Sequence, residues 1–149
     1  MTLTIRKAIP ADADSLRVLY HSHLTANPPK EPQDMAHWQE RIARFNSNPS
    51  YHLLVAEMDG KLVSSVTLIL IENLTRGMRP YALIENVVTH ADCRGKGYAA
   101  KLMSWASKIA DDFGCYKIML MTGSGKEAFK FYEKCGFNSK DKTAFIKWL

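Results

Sequence analysis

The stretch Tyr81-Ala82-Leu83-Ile84-Glu85-Asn86-Val87-Val88-Thr89 has strand character, and it runs almost at once into the turn Arg94-Gly95-Lys96-Gly97-Tyr98-Ala99. That turn opens a helix-patterned segment over residues 97–113, with Leu102, Trp105, Ile109 and Ala110 among its apolar positions. A strand, a tight turn and an amphipathic helix in immediate succession restrict the fold. The helix has to bury its apolar stripe against the sheet it has just left, so the chain is layered. The turn also has a chemical character. Small residues let backbone N–H groups approach an anion, while a helix start supplies unpaired donors and a positive dipole end. Arg94 and Lys96 add positive charge. The plainer reading is a helix entry with two convenient glycines.

The remaining elements can be read in order. Residues 3–6 alternate and are bounded by Pro10, which predicts a short strand. Asp12 is placed to cap a helix carrying Ala13, Leu16, Leu19 and Tyr20. Residues 27–32, with three prolines, form a loop, and a second helix over 33–45 carries Met35, Trp38, Ile42 and Phe45. Strands at 52–58 and 61–71 flank Asp59-Gly60, a strong hairpin signal. A turn-rich connector spans 73–80. After the helix at 97–113, ended by Gly114, a strand is expected at 116–121, a helix at 126–134 and a final strand at 143–148. No repeat or linker interrupts the chain. The expectation is one α+β domain over 1–149, with α/β-like layers: a mixed sheet and helices on both faces.

Composition removes several classes of function. At 149 residues the chain can bury a proper core, and its 46% hydrophobic content is ordinary. No apolar run reaches transmembrane length, and the N-terminus lacks a signal-peptide core, so no membrane partner is expected. Three cysteines without metal-ligand spacing suggest reduced thiols and a cytoplasmic setting. The five histidines show no ligand spacing either, and no metal is expected. The +5 net charge is scattered, and the helix at 97–113 sets Met103, Trp105 and Asp111 beside Lys101 and Lys108, which argues against a nucleic-acid partner. Gly123-Ser124-Gly125-Lys126-Glu127-Ala128 imitates a dinucleotide fingerprint, but only residues 129–149 follow it, too few for such a fold.

Arg94, Gly97 and Ala99 fit the pattern Arg-x-x-Gly-x-Ala, which resembles the acyl-CoA-binding signature of the GNAT N-acetyltransferases. Further along, Gly114-Cys115-Tyr116-Lys117-Ile118 and Phe131-Tyr132-Glu133-Lys134-Cys135-Gly136-Phe137 are similar to segments of glucosamine-phosphate acetyltransferases within that family. The resemblance holds in order from about Leu62 to the end of the chain. It implies a GNAT fold, with a central, mixed, mostly antiparallel and splayed sheet flanked by helices on both faces. It also implies acetyl-CoA as cosubstrate, lying where strands part, and a small-molecule primary amine as acceptor. Transfer would be direct, in a ternary complex.

The same resemblance gives the residues their roles. Backbone N–H groups near Val87 and Val88 would bond the cosubstrate arm and the acetyl oxygen, though both valines read equally as core. Arg94, Gly95, Lys96, Gly97, Tyr98 and Ala99 would cradle its phosphates, and Lys126 would lie near its adenine end. Tyr132 is the candidate general acid, and packing against the sheet is its alternative. Glu85, a carboxylate among apolar neighbours, is the candidate base, with burial expected to raise its pKa. A salt bridge to Arg79 is the competing reading. Asn86 would orient substrate or tie down a β-bulge. Arg76 and Arg79 invite an acceptor with negative charge, such as a sugar phosphate or a carboxylate-bearing amine, and a solvated loop explains them equally well. A protein or peptide acceptor, a non-catalytic acyl-CoA-binding module, and a homodimer through sheet edges or the C-terminal strand stay open.

Overall fold

Alternating apolar residues build a five-stranded sheet in chain order: β1 (Leu3–Lys7), β2 (Tyr51–Met58), β3 (Lys61–Ile71), β4 (Tyr81–Thr89) and β5 (Ile118–Met119). The structure is a computed structural model that describes residues 1–123 and 125–149. β1 to β4 pair antiparallel, and β5 joins β4 in parallel through only two residue pairs, Ala82 with Ile118 and Leu83 with Met119. The β2–β3 hairpin turns at Asp59 and Gly60, both at positive φ (48° and 80°). Two successive left-handed residues match the right-handed twist of the strands they join.

Two helices, α1 (Ala13–His23) and α2 (Met35–Ser47), pack on one face of the sheet. Their buried stripe, with Ala13, Leu16 and Ile42, meets Leu53 and Val55 of β2, and Tyr20, Trp38 and Phe45 pack around it. The period-2 alternation of a strand turns Leu54 and Ala56 to the opposite face. There α4 (Tyr98–Asp112) crosses β2, β3 and β4, burying Leu102, Met103, Ala106 and Ala110. α4 ends as Gly114 suggested: the Gly114 N–H donates to the Asp111 carbonyl (2.9 Å) and the Cys115 N–H to the Ala110 carbonyl (3.0 Å). Two compact units are present, Met1–Met119 and Leu120–Leu149, and the second contains α5 (Lys126–Lys134).

Several expectations need correction. Residues 143–148 form no strand; Phe145 and Trp148 are 92% and 88% exposed. An apolar run becomes a strand only when an edge accepts its ladder, and sequence does not supply the edge. The strand expected at 116–121 shrinks to Ile118–Met119. The connector holds one distorted helical turn, α3 (Thr75–Met78), with Arg76 and Gly77 in left-handed conformation.

Asp12 does not cap α1 with its side chain. It sits in a 3₁₀ turn (Pro10–Asp12), accepts from the Ile9 N–H (2.8 Å) and takes two hydrogen bonds from the Arg6 guanidinium (2.7 and 2.9 Å). Arg6 also donates to Glu57 at 2.6 Å, tying β1 to β2. Burial works to raise the Asp12 pKa, but the Arg6 and Ile9 hydrogen bonds outweigh it and hold the carboxyl below its ordinary value of 3.8. The unfolded chain therefore takes up this proton first as pH falls. The stabilisation is complete above about pH 4–5 and disappears as pH drops through the lower folded value. Asp12→Asn should lower unfolding free energy by about 1–3 kcal/mol at neutral pH, because Arg6 loses its partner. Chemical denaturation from pH 7 down to pH 2 should show that gap closing on the acid side; a constant gap would contradict the assignment.

Candidate active site

β4 is the element on which the site is built. It pairs with β3 along its length, yet the register slips between Thr67–Glu85 and Ser65–Val88, so Asn86 and Val87 together oppose Val66. This is a β-bulge, and Asn86 is left-handed within it (φ 53°). Asparagine tolerates that conformation better than branched residues, which is a physical reason for its presence mid-strand. The expectation that Asn86 ties down a bulge therefore has a structural counterpart. Ser64 fixes the strand beyond the bulge, its hydroxyl donating to the Val88 carbonyl (2.7 Å) and meeting the Thr89 hydroxyl at 2.9 Å. On its other edge β4 keeps β5 only as far as Leu83, so among the described residues the strand runs on from Ile84 without a ladder partner there.

Glu85 faces the α1 and α2 side through its regular pairing with Thr67, and the bulge re-aims Asn86 so that both share one wall. Glu85 and Asn86 enter the wall of a cavity of about 490 Å³. Leu16 and Tyr20 of α1, Trp38 and Ile42 of α2, and Leu53 and Ile69 of the sheet supply much of the rest. Glu85 is half-buried and Asn86 exposed, so Glu85 is less enclosed than its apolar neighbours in sequence suggested. No ion pair joins Glu85 to Arg79 among the described residues. Arg79 instead donates to the carbonyls of Gly114 (3.2 Å) and Cys115 (3.1 Å), holding the end of α4. Arg76 lies 5.5 Å over the Tyr116 ring. Neither arginine lines this cavity. Its basic side chains are His37 and Arg41 of α2, residues that were not singled out from the sequence. The available signal was helical spacing, since Arg41 falls between Trp38 and Phe45 on an otherwise apolar face. Tyr20 also belongs to the wall, with its hydroxyl 3.4 Å from Ser65 Oγ, and burial keeps that phenol above its usual pKa and so neutral.

Following β4, residues 94–99 shape a concave backbone. Gly95 (φ 75°) and Gly97 (φ 80°) are both left-handed, and Gly97 is the N-cap of α4 without any side-chain hydrogen bond. A β-carbon at either position meets nothing within 4 Å, so dihedral preference, and not crowding, calls for glycine there. The Lys101 N–H is bonded to the Gly97 carbonyl (3.1 Å), which leaves the amides of Tyr98 and Ala99 in the open first turn. Such a nest at a helix start has the geometry that suits an anion. Lys96 is exposed beside it. The Arg94 guanidinium reaches back, donating to the carbonyls of Thr89 (3.3 Å) and His23 (3.4 Å).

In the second unit, Tyr132 lies on α5, a helix ended by the turn at Gly136. The Gly136 N–H donates to Glu133 (2.9 Å) and the Phe137 N–H to the Tyr132 carbonyl (3.0 Å). The Tyr132 ring is half-buried between Phe131 (5.1 Å) and Phe137 (6.3 Å), both edge-on, so helix cap and ring are held together. Lys126 is exposed at the first turn of α5, and Ser124 of the preceding loop lies outside the described residues. Among the described residues, no group of three or more His, Cys, Asp and Glu is placed to hold a metal ion.

A mixed sheet, a bulge beside a carboxylate-bearing cavity and a glycine nest opening the next helix make up the architecture of the acetyltransferase class. The acetyltransferase (GNAT) family matches residues 15–137, and the chain belongs to that family, whose cosubstrate is acetyl-CoA. A glucosamine 6-phosphate N-acetyltransferase of Trypanosoma brucei brucei is 30% identical over 120 residues, covering 80% of this chain and 79% of the relative. Among solved structures, a Trypanosoma brucei acetyltransferase superposes with TM-score 0.82 at 28% identity, covering 99% of this chain and 100% of that one. The glucosamine-6-phosphate N-acetyltransferase of Arabidopsis thaliana shares the fold, with TM-score 0.86 at 24% identity and 99% of both chains covered. The protein is thus an acetyltransferase, and no helix among its described residues is long and apolar enough to cross a membrane.

Asn86→Val should destabilise the protein by about 1–2 kcal/mol, because a β-branched residue resists the left-handed backbone, whereas Asn86→Gly should stay near wild type. Thermal unfolding of both variants checks this; equal losses would mean the side chain, and not its dihedral, matters.

Proposed function

We propose that the protein transfers an acetyl group from acetyl-CoA to the primary amine of a small molecule, by direct attack without an acetylated enzyme. One observation carries the reading. The carboxylate of Glu85 stands in the wall of a bounded cavity, one residue before a bulge in the strand that leads to the glycine nest. Residues 94–99 would hold the phosphates through backbone N–H groups, with Lys96 and the unused N–H groups of Arg94 adding charge and Lys126 near the adenine end. Acetyl-CoA supplies the activated acyl group; this chain's residues position it and move the protons.

Glu85 takes a proton from the acceptor ammonium, directly or through a water, and so frees the nitrogen lone pair. The acetyl oxygen, where charge develops, is met by a strand amide fixed before reaction. Of the two valines, Val87 is the better donor. The His90 N–H donates to the Val63 carbonyl (2.9 Å), and counting back two residues turns the Val88 amide toward β3 as well. Val87 lies in the bulge, where one residue is left out of the ladder. Tyr132 donates its phenol proton to the sulfur as the thiolate leaves. Asn86, beside Glu85, helps orient the amine.

A protein acceptor remains the second reading, but a cavity of about 490 Å³ between α1, α2 and the sheet fits a small molecule better than a chain. The relatives' names put hexosamine phosphates on the list of acceptors to try. One domain comprising both units, a cytoplasmic setting and a homodimer belong to the same proposal. They are supported by the family match running across residues 15–137, by the free thiols of Cys93, Cys115 and Cys135, and by the exposed apolar Phe145, Ile146, Trp148 and Leu149.

Glu85→Gln should lower kcat/KM by about 10²–10⁴-fold with acetyl-CoA affinity retained, and Tyr132→Phe should lower kcat about 10²-fold, also without loss of affinity. CoA-release kinetics beside calorimetry of acetyl-CoA binding measure both. Loss of binding in either variant, or unchanged turnover in both, rules out the roles assigned.

A further inference from the structure

We infer that the acceptor is an amine on an apolar, aromatic-sized body with an acidic group at its far end, and not a polyhydroxylated amine. This rests on the acetyl-transfer reading above and specifies the substrate class of that same cavity. The observations concern the wall. Trp38, Ile42, Phe45, Leu53 and Ile69 make its exposed surface mostly carbon. Stacking of Phe45 on Tyr51 at 4.8 Å and the tilted contact of Tyr20 with Trp38 at 6.1 Å hold the aromatic part in place. Sugar hydroxyls placed against the carbon part of the wall would give up water without regaining hydrogen bonds. The Tyr20 hydroxyl is already turned to Ser65, and Thr67 is 6% exposed.

Charge in the wall is carried by two separate elements. Glu85 comes from β4, while His37 and Arg41 come from α2, which packs on β2. β3 lies between β2 and β4, so the strand that carries Glu85 and the strand under α2 run two strand spacings apart, about 10 Å. Arg41 makes no ion pair or hydrogen bond with any described residue, and His37 lies 3.7 Å from Asp34. An ammonium at Glu85 and an anion at Arg41 therefore suit a molecule whose charged ends are separated by an apolar spacer. An α-amino acid, with both charges on one carbon, does not span that offset.

The test compares 4-(2-aminoethyl)benzoate, phenethylamine, phenylalanine and glucosamine 6-phosphate as acceptors in a CoA-release assay, with product mass confirmed. The expected result is that 4-(2-aminoethyl)benzoate exceeds glucosamine 6-phosphate and phenylalanine in kcat/KM by about tenfold or more. Arg41→Ala should raise KM for 4-(2-aminoethyl)benzoate about tenfold and leave that for phenethylamine nearly unchanged. Trp38→Ala should raise KM for both aryl amines, with Trp38→Leu as the milder variant if the first fails to fold by circular dichroism. A preference for glucosamine 6-phosphate, or an equal effect of Arg41→Ala on both aryl amines, overturns the inference and leaves acetyl transfer standing. If no amine is acetylated, calorimetry of the aryl amines decides. Binding of 4-(2-aminoethyl)benzoate weakened by both substitutions, with that of phenethylamine weakened by Trp38→Ala alone, supports the inference and sinks the transfer reading, while no binding, or equal weakening of both amines by Arg41→Ala, sinks the inference.

Discussion

The pairing of β4 is the constraint on which the rest of the structure depends. Along one edge it is held to β3 throughout, and along the other only by Ala82 and Leu83. A fully paired β4 would have no unsatisfied edge and no reason to bulge. The bulge at Asn86 and Val87 brings Asn86 beside Glu85 on the cavity wall, and Ser64 and Ser65 hold the neighbouring backbone through bonds to Val88 and Leu54. These buried hydroxyls are satisfied by carbonyls, so the polar pair stabilises the irregular stretch instead of weakening the core.

Site and scaffold are divided between the two faces of the sheet. On the α4 face, Leu102, Met103, Ala106 and Ala110 pack closely, and small residues at two of those positions let the helix lie near the strands. That packing fixes the glycine nest, because the nest is the start of the same helix. On the other face, α1 and α2 meet the sheet through a core that leaves a cavity beside Glu85. β4 connects the two, so a carboxylate and the glycine nest come from one continuous segment of chain. Arg94 adds to this by bonding the carbonyls of Thr89 and His23, which ties the loop to both β4 and the end of α1.

Local signals were strong where chemistry and backbone need coincide. Asp59-Gly60 requires two positive φ angles, and Gly95 and Gly97 likewise, so these turns could be read from residue type. Pairing-dependent features were not readable in this way. Residues 143–148 have the composition of a strand but no ladder, while Arg79 looked available for a ligand and is bonded to the end of α4. Asp12 has a capping residue's identity, yet Arg6 from β1 takes both its oxygens. A guanidinium brought close by the fold wins over the first amides of α1 because the bond is charge-assisted and bidentate.

By itself, then, the chain's order of residues determined the strand–turn–helix unit, the hairpin, the helix stops at Gly114 and Gly136, and the identity of Glu85 and Tyr132 as groups able to move protons. Each follows from dihedral preference, short-range periodicity or side-chain chemistry, all of which act over a few residues. Only the tertiary structure decided that Trp38 and Arg41 share a cavity with Glu85, that β5 stops at Met119, and that Arg41, and neither Arg76 nor Arg79, lines that cavity. Those outcomes rest on contacts between segments distant in sequence, where burial and pairing depend on what the rest of the chain brings alongside.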